Sequence, residues 1–315
     1  MKSFSCILFF LLIKLPIFAQ FASQAGTENT TAIAADSPLF VDWGQDCTTA
    51  RGPLDIADPN GATAGAGFAE AGNGAADNMT VSLGDGGTAT LFFEPAVRDG
   101  EGADFAVFEN GFGSPEGDFL ELAFVEVSSD GENFVRFPAV SLTNNAEGIG
   151  SFGTLEAAKI HNLAGKYYGG FGVPFDLAEL ADSAFLDVQN VTHVRLVDVI
   201  GTNNPEFATF DVEGNIIIDP YPTAFPSGGF DLDAVGVIHA ANGVSIKEII
   251  GNEEVNIFPN PARAGEMIFV ENAKEKITLS DTAGNILLRT TDTRFLLPDL
   301  SAGIYFLNGA KVFVK

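Results

Sequence analysis

The sequence predicts an all-β protein, with a β-sandwich passenger domain followed by a small C-terminal β-sandwich. Short stretches of alternating apolar and polar residues recur along the chain, as expected of strands with one buried face. The 35 glycines can supply tight turns between strands, and helical periodicity is confined to short pieces such as residues 176–183. Because 46% of the 315 residues are apolar and only 18% are charged, the chain can bury a sizeable core.

The chain opens with the pattern of an export signal. Lys2 precedes an apolar run over residues 6–18, and Ala19 supplies a small residue before a cut at Gln20. This predicts a signal peptide over residues 1–19 and a flexible leader without periodicity over residues 20–40. The apolar run is too short and too interrupted to span a membrane, so the mature protein is expected to have no transmembrane span. Removal of the signal peptide would leave Cys47 as the sole cysteine.

The charge distribution separates two regions of the chain. The protein holds 42 acidic and 16 basic residues, a net charge of −26, which excludes nucleic-acid binding through a basic surface. Residues 20–250 contain 34 of the acidic and 7 of the basic residues, whereas residues 251–315 contain 8 and 7. We therefore expect an acidic passenger at residues 41–242, a polar linker at residues 243–254 and a separate domain at residues 255–315.

Alternation predicts the strands of the passenger. The Asp130-Gly131 pair lies between two alternating runs and predicts a hairpin, because primed turns require positive φ. The predicted strands cover residues 88–93, 104–108, 121–129, 134–137, 191–199 and 233–239.

The C-terminal residues carry a series of short motifs. Predicted strands at residues 267–270, 276–279, 286–289, 304–307 and 312–314 accompany a turn at residues 281–285. The motifs FPNPA, ITLSDTAGNIL, LPDLSAGIYFL and KVFVK occur in this order, and they resemble the type A sorting domain of the Bacteroidetes type IX secretion system. The resemblance implies an Ig-like sandwich, a partner in the type IX secretion machinery, passage across the outer membrane and removal of this domain. The alternative is an ordinary Ig-like module that stays attached.

The passenger carries a second resemblance. VEVSSDGENF, HVRL and GFDLDAV resemble the hairpin, a later strand and the closing strand of galactose-binding-like, discoidin-type jelly rolls. Together with ADFAVFENGFG, NLAGKYYGGFGVPFDLAEL and DPYPTAFPSGGF, they are similar to an uncharacterised family of bacterial cell-surface proteins. The resemblance implies a jelly-roll fold and a location at the outer cell surface, but it implies little about activity.

Calcium is the metal ion that this sequence could hold. Carboxylates separated by one or two intervening residues in a glycine-rich loop can converge on one Ca²⁺ ion, and residues 99–104 have that spacing. Resemblance to galactose-binding-like modules adds the carboxylates of the closing strand. The candidate ligands of a structural Ca²⁺ are Asp99, Glu101, Asp104, Glu109, Asp231 and Asp233. The alternative is a solvated acidic rim that only keeps the protein soluble.

Aromatic residues in loops rich in glycine and proline form the candidate ligand-binding surface. Flat rings can stack on sugars or other planar ligands while neighbouring polar groups accept and donate hydrogen bonds. The candidates are Tyr167, Tyr168, Phe171, Tyr221 and Phe225. The alternative is that these rings cover the core beneath long loops.

Signatures of catalysis are missing from the sequence. It contains no Gly-x-Ser-x-Gly, His-Glu-x-x-His or Cys-x-x-Cys motif, and its three histidines lie in unrelated contexts. We therefore expect a secreted, non-catalytic and calcium-stabilised binding module for a glycan or another small ligand at the cell surface. The alternatives are an accessory protein that captures a nutrient such as a corrinoid for an outer-membrane transporter, a structural adhesin, and a carboxylate-based hydrolase.

Overall fold

The computed structural model describes residues 21–58, 60–143, 147–241, 256–271, 277–281, 286–307 and 310–315. The chain divides into two compact units, Met1–Gly243 and Val244–Lys315. The predicted signal peptide, the predicted linker and all but the first residue of the predicted turn at 281–285 lie outside the described residues.

Both units consist of antiparallel strands, which confirms the predicted all-β sandwich class. Three 3₁₀ turns, Ala69–Gly72, Ala157–Lys159 and Leu177–Leu180, are the helical segments of the described residues. Among the described residues, no helix has the length and apolar character needed to cross a membrane. The strands are β1 Ile33–Ala34, β2 Asp42–Trp43, β3 Gln45–Ala50, β4 Val81–Ser82, β5 Thr88–Val97, β6 Phe105–Glu109, β7 Phe112–Ser114, β8 Gly117–Phe119, β9 Ala123–Ser128, β10 Val135–Arg136, β11 Val140–Ser141, β12 Ile160–His161, β13 Leu163–Ala164, β14 Phe171–Phe175, β15 Val191–Asp198, β16 Asp231–Val237, β17 Asn256–Phe258, β18 Met267–Glu271, β19 Ile277–Ser280, β20 Ile286–Thr290, β21 Arg294–Leu296, β22 Gly303–Leu307 and β23 Ala310–Val314.

The second sheet of the first unit has the order β10-β9-β15-β5-β3, with β13 also paired to β9. In its centre, Val194 is paired with Leu91 on one side and Val127 on the other, and all three are buried in the core. The next residue, Arg195, points to the opposite face, because side chains alternate along a strand. This alternation explains why the sequence predicts β5 and β15 clearly.

The first sheet has the order β1-β14-β6-β16-β2, with β4 also paired to β16. Its central strands β6 and β16 are buried along their whole length, so both of their faces are covered. Phe105 and Val107 pack into the core between the two sheets, whereas Phe108 and Ala234 pack into a second cluster on the outer face.

The N-terminal segment that the sequence predicts to be a flexible leader instead covers this outer face. Ile33 and Phe40 pack on the cluster that contains Phe108, and β1 pairs with β14. The Phe40 ring lies 4.9 Å from Trp43 and 5.5 Å from Phe108, measured between centroids. The leader prediction was wrong over residues 21–40 because non-periodic segments can still be ordered by a buried apolar surface.

The Asp130-Gly131 hairpin is confirmed. Asp130 Oδ1 accepts hydrogen bonds from the backbone N–H groups of Glu132 and Asn133, and Gly131 has φ +76°. The strands on either side pair with Val135 opposite Val127.

The second unit contains two sheets, β17-β18-β21 and β20-β19-β22-β23. Their alternating apolar side chains form one core, with Ile268, Leu279, Leu307 and Val312 fully buried. The strands therefore lie where the sequence predicts them, and an immunoglobulin-like topology for this unit stays a prediction.

Candidate functional site

Three carboxylates converge at one end of the first sheet. Asp99 and Asp104 flank the loop before β6, and Asp176 precedes the 3₁₀ turn Leu177–Leu180. One oxygen of each lies within 4.8 Å of the other two, and we call this group the acidic trio. Asp176 was not among the predicted ligands, because it is far from Asp99 in the sequence and only the fold brings the two side chains together.

Asp104 is the fully buried member of the acidic trio. Its Oδ1 accepts a hydrogen bond from Gly100 N at 2.8 Å and lies 2.7 Å from His239 Nδ1, and its Oδ2 accepts from Leu177 N at 2.7 Å. Burial raises the pKa of Asp104, and the bonds from His239 and the backbone oppose that rise. By contrast, Asp99 Oδ1 is buried without a hydrogen-bond partner among the described residues. An orphaned carboxylate oxygen beside two other carboxylates is an arrangement that a hard cation satisfies.

The other predicted metal ligands do not join the acidic trio. Glu101 is exposed. Glu109 lies at the far end of β6, about 16 Å away at the usual rise of a strand. Asp231 and Asp233 lie beside Glu109, because β16 runs antiparallel to β6 with Leu232 opposite Glu109. The six predicted ligands are thus divided between two ends of one sheet.

The Glu109 end of the sheet contains a group of buried carboxylates, which we call the interior carboxylates. They come from six different strands and loops but share burial and mutual repulsion. Burial is the largest cause of the raised pKa values in this group, and repulsion by neighbouring carboxylates adds to it. These raised values belong to Glu109, Glu121, Asp198 and Asp219. The group also includes Asp85 and Asp231, whose pKa values burial raises, in the case of Asp85 to about 6.

Hydrogen bonds satisfy the interior carboxylates unevenly. Both oxygens of Asp198 accept from the backbone, from Phe230 N at 2.7 Å and from Gly86 N at 2.9 Å. Glu109 Oε2 accepts from Gly111 N, whereas Glu109 Oε1 has no partner among the described residues. Asp233 has the same imbalance, because its Oδ1 accepts from the backbone and its Oδ2 does not. A buried carboxylate oxygen without a partner favours the protonated form of the group or a bound cation.

The predicted aromatic candidates are mostly internal. Tyr167 is only 1% exposed, and its hydroxyl lies 2.9 Å from that of Thr31, so it cannot present a face to a ligand. Tyr168 donates to Asp118 Oδ1 at 2.5 Å, and that bond raises its pKa to about 12. Phe171 belongs to β14 and packs against the core.

Tyr221 and Phe225 lie on a loop that is held to its neighbours. Burial and a 3.1 Å hydrogen bond to Asp55 raise the pKa of Tyr221 to about 12. A β-bridge joins Tyr221 to Gly150, and another joins Asp118 of β8 to Leu155. The loop around residue 221, the segment 147–155 and the β7–β8 hairpin therefore form one connected surface.

Four phenylalanine rings cross this connected surface in a row. Centroid distances are 5.1 Å from Phe112 to Phe119, 6.4 Å from Phe119 to Phe152, and 5.7 Å from Phe152 to Phe225. Phe152 is 75% exposed and Phe112 is 55% exposed. We call these four residues the phenylalanine row. Of its members the sequence predicted only Phe225. Phenylalanine beside glycine was a signal for Phe112 and Phe152, whereas Phe119 has no such neighbour.

No family model, curated protein or solved structure matches this chain in the three comparisons.

Proposed function

We propose that this chain is an exported, non-catalytic binding module that holds a glycan on the phenylalanine row. The row supports this proposal because its most exposed ring, Phe152, is stacked on Phe225 rather than standing free in solvent. Stacked rings keep a flat apolar face in place, so little conformational entropy is lost when a sugar ring covers it. The motifs at residues 1–19 and 255–315 support export and the delivery of the passenger to the outer cell surface.

Polar groups beside the row suit a hydroxyl-rich ligand. Ser114 and Glu116 lie in the turn of the β7–β8 hairpin and are exposed. Protein sites for small ligands commonly combine an apolar wall with a few polar groups that fix orientation. The hairpin supplies both within eight residues, which favours a glycan over a purely apolar ligand.

Replacing Phe152 by alanine is expected to weaken glycan binding by about tenfold, because a buried aromatic contact contributes about 1–2 kcal/mol at an interface. The measurement is a glycan array, followed by titration of the best-bound oligosaccharide into the wild-type protein and the F152A variant. Since Phe152 is exposed, its removal should leave the melting temperature nearly unchanged.

Phe185→Ala is the matched control, because Phe185 is 74% exposed and is not part of the row. It should bind the oligosaccharide as the wild type does. Equal affinity of the F152A and F185A variants would show that the glycan does not use the row.

The same proposal places a structural Ca²⁺ ion at the acidic trio. Orphaned carboxylate oxygens occur at both ends of the sheet, but among the described residues only the acidic trio brings three ligand oxygens within 4.8 Å of one another, and this supports its position over the Glu109 end. Asp99, Asp104 and Asp176 would hold the ion, and it would join the loop before β6 to the segment after β14 by cancelling the repulsion between carboxylates.

Calcium is therefore expected to raise the melting temperature of the protein. An ion at 100 times its dissociation constant stabilises a folded protein by about 2.7 kcal/mol, which corresponds to a rise of about 5–10 °C for a domain of this size. Differential scanning calorimetry with chelator and with calcium measures the effect.

Asp176→Asn should remove most of the rise, and Asp182→Asn, at an exposed position a few residues away, should keep it. A rise that persists in the D176N variant would place the ion elsewhere, and the absence of any rise in the wild type would contradict the proposed site.

A further inference from the structure

A cavity of about 500 Å³ lies beneath the N-terminal segment of the first unit. Its apolar walls include Phe21, Ile33, Val173 and Pro174. The polar side chains that line it are Thr31, His161, Asn162, Lys166, Asp176 and Glu179. The volume lies within the range of pockets for small molecules.

Lys166 places a positive charge in the wall of this cavity. Its side chain is nearly buried, with the residue 4% exposed, and its Nζ donates to Ile160 O at 2.6 Å. An ammonium group has three donors, and no carboxylate of the described residues lies within 4.0 Å of this one. Burial lowers the pKa of Lys166 to about 8. The same Nζ lies 5.2 Å from the centroid of the Tyr167 ring, a cation–π contact that supplies no counter-charge. A desolvated cation without a counter-charge is costly, and an anionic ligand group would relieve that cost.

Glu179 supplies the opposite charge in the same cavity. It is exposed, but one oxygen is fixed by Asn162, whose Nδ2 donates to Glu179 Oε2 at 2.5 Å. Asn162 itself has φ +51°, in the left-handed region, and is nearly buried.

His161 lies close to both charged groups. Burial lowers its pKa, while Glu179 raises it and Lys166 lowers it, so one imidazole is within the electrostatic range of both. The Phe21 ring stacks on His161 at 4.8 Å between centroids, with an interplanar angle of 11°. The stacked imidazole is a flat part of the cavity wall.

We propose that this cavity binds a free α-amino acid with an apolar side chain. The ligand carboxylate would pair with Lys166, its ammonium group would pair with Glu179, and its side chain would lie against Phe21, Ile33 and Val173. A dianion such as phosphate fits less well, because Glu179 and Asp176 would repel it. This site is separate from the phenylalanine row, and the proposal does not depend on glycan binding.

Calorimetric titration of the full chain with leucine tests the proposal, with N-acetylleucine and leucine methyl ester as analogues that each lack one charge. Saturable binding of leucine is expected, and each analogue should bind at least about tenfold more weakly. Failure of leucine to bind at millimolar concentration would overturn the proposal. Equally tight binding of N-acetylleucine would show that the cavity recognises a carboxylate alone and would exclude the role of Glu179. Equally tight binding of the ester would exclude the role of Lys166.

Two variants test which residue pairs with each charged group of the ligand. Glu179→Gln changes an exposed residue without changing its size, so it should fold, weaken leucine about tenfold and leave N-acetylleucine unaffected. Lys166→Met should abolish binding of leucine. If the K166M variant does not fold, the comparison of leucine with its ester still tests the cationic pole. Glu132→Gln, in the exposed turn between β9 and β10, is the control and should bind as the wild type does.

Discussion

Acidification from about pH 7.5 to about pH 5 is expected to raise the free energy of unfolding of the first unit, because its interior carboxylates hold protons that the unfolded chain releases. The unfolded groups have pKa values of about 4, and the folded values are raised. The stability that they contribute is therefore fully present below pH 4 and is lost as pH rises through the folded pKa values. Asp85, with a pKa raised to about 6, loses its contribution within this range.

The expected slope is large because several carboxylates act together. Each group that is protonated only in the folded state contributes about 1.4 kcal/mol per pH unit. Glu109, Glu121, Asp198 and Asp219 all have pKa values raised well above the ordinary range. Asp130 acts in the opposite direction, since hydrogen bonds from Asn133 and Glu132 lower its pKa, but its contribution is lost only below about pH 4.

Urea unfolding in chelator at several pH values measures this slope. Glu121→Gln should flatten it, because the amide cannot release a proton, whereas Glu156→Gln, at a side chain that is 69% exposed, should leave it unchanged. A stability that falls steadily from pH 7.5 to pH 5 would contradict the protonated state of these groups.

Gly165→Ala is expected to destabilise the first unit by about 3 kcal/mol or more. Gly165 has φ +83°, and an added Cβ would lie 1.8 Å from the carbonyl oxygen of Glu121. The backbone just before β9 would have to move away, and β9 pairs with both β15 and β13. The positive φ alone costs an L-residue about 1–2 kcal/mol, and the steric overlap adds to that cost.

Gly170→Ala separates the two contributions. Gly170 has nearly the same φ, +82°, but an added Cβ would meet no atom within 4 Å. The G170A variant should therefore lose only about 1–2 kcal/mol. Thermal and urea unfolding of both variants measure the difference, and equal losses would refute the close approach of Gly165 to Glu121.

Most strands could be predicted because one face of each is buried and the other is solvated. Burial alternates along most of β5 and along β15 for this reason. Burial does not alternate along β6, β9 and β16, since both of their faces are covered. A continuous apolar strand of this kind indicates that another segment must cover it, and that signal could have corrected the prediction of a flexible leader.

The functional residues were harder to predict, because their roles depend on contacts between distant parts of the chain. Asp176 joins Asp99 only after β14 is placed beside β6. Tyr167 and Phe152 are both aromatic residues in glycine-rich segments, yet one is 1% and the other 75% exposed. Composition near a loop predicts that an aromatic residue is present there, whereas the tertiary fold decides which ring reaches the surface.

The position of β16 determines when the first unit can fold. This strand contributes seven buried residues and lies between β6 on one side and β2 and β4 on the other, although it is the last strand of the unit in the sequence. Strands β2, β4 and β6 of the first sheet therefore keep an open edge until residue 237 has left the ribosome. The second sheet, by contrast, needs no strand beyond residue 198, so the two sheets that enclose the core become complete at different stages of synthesis.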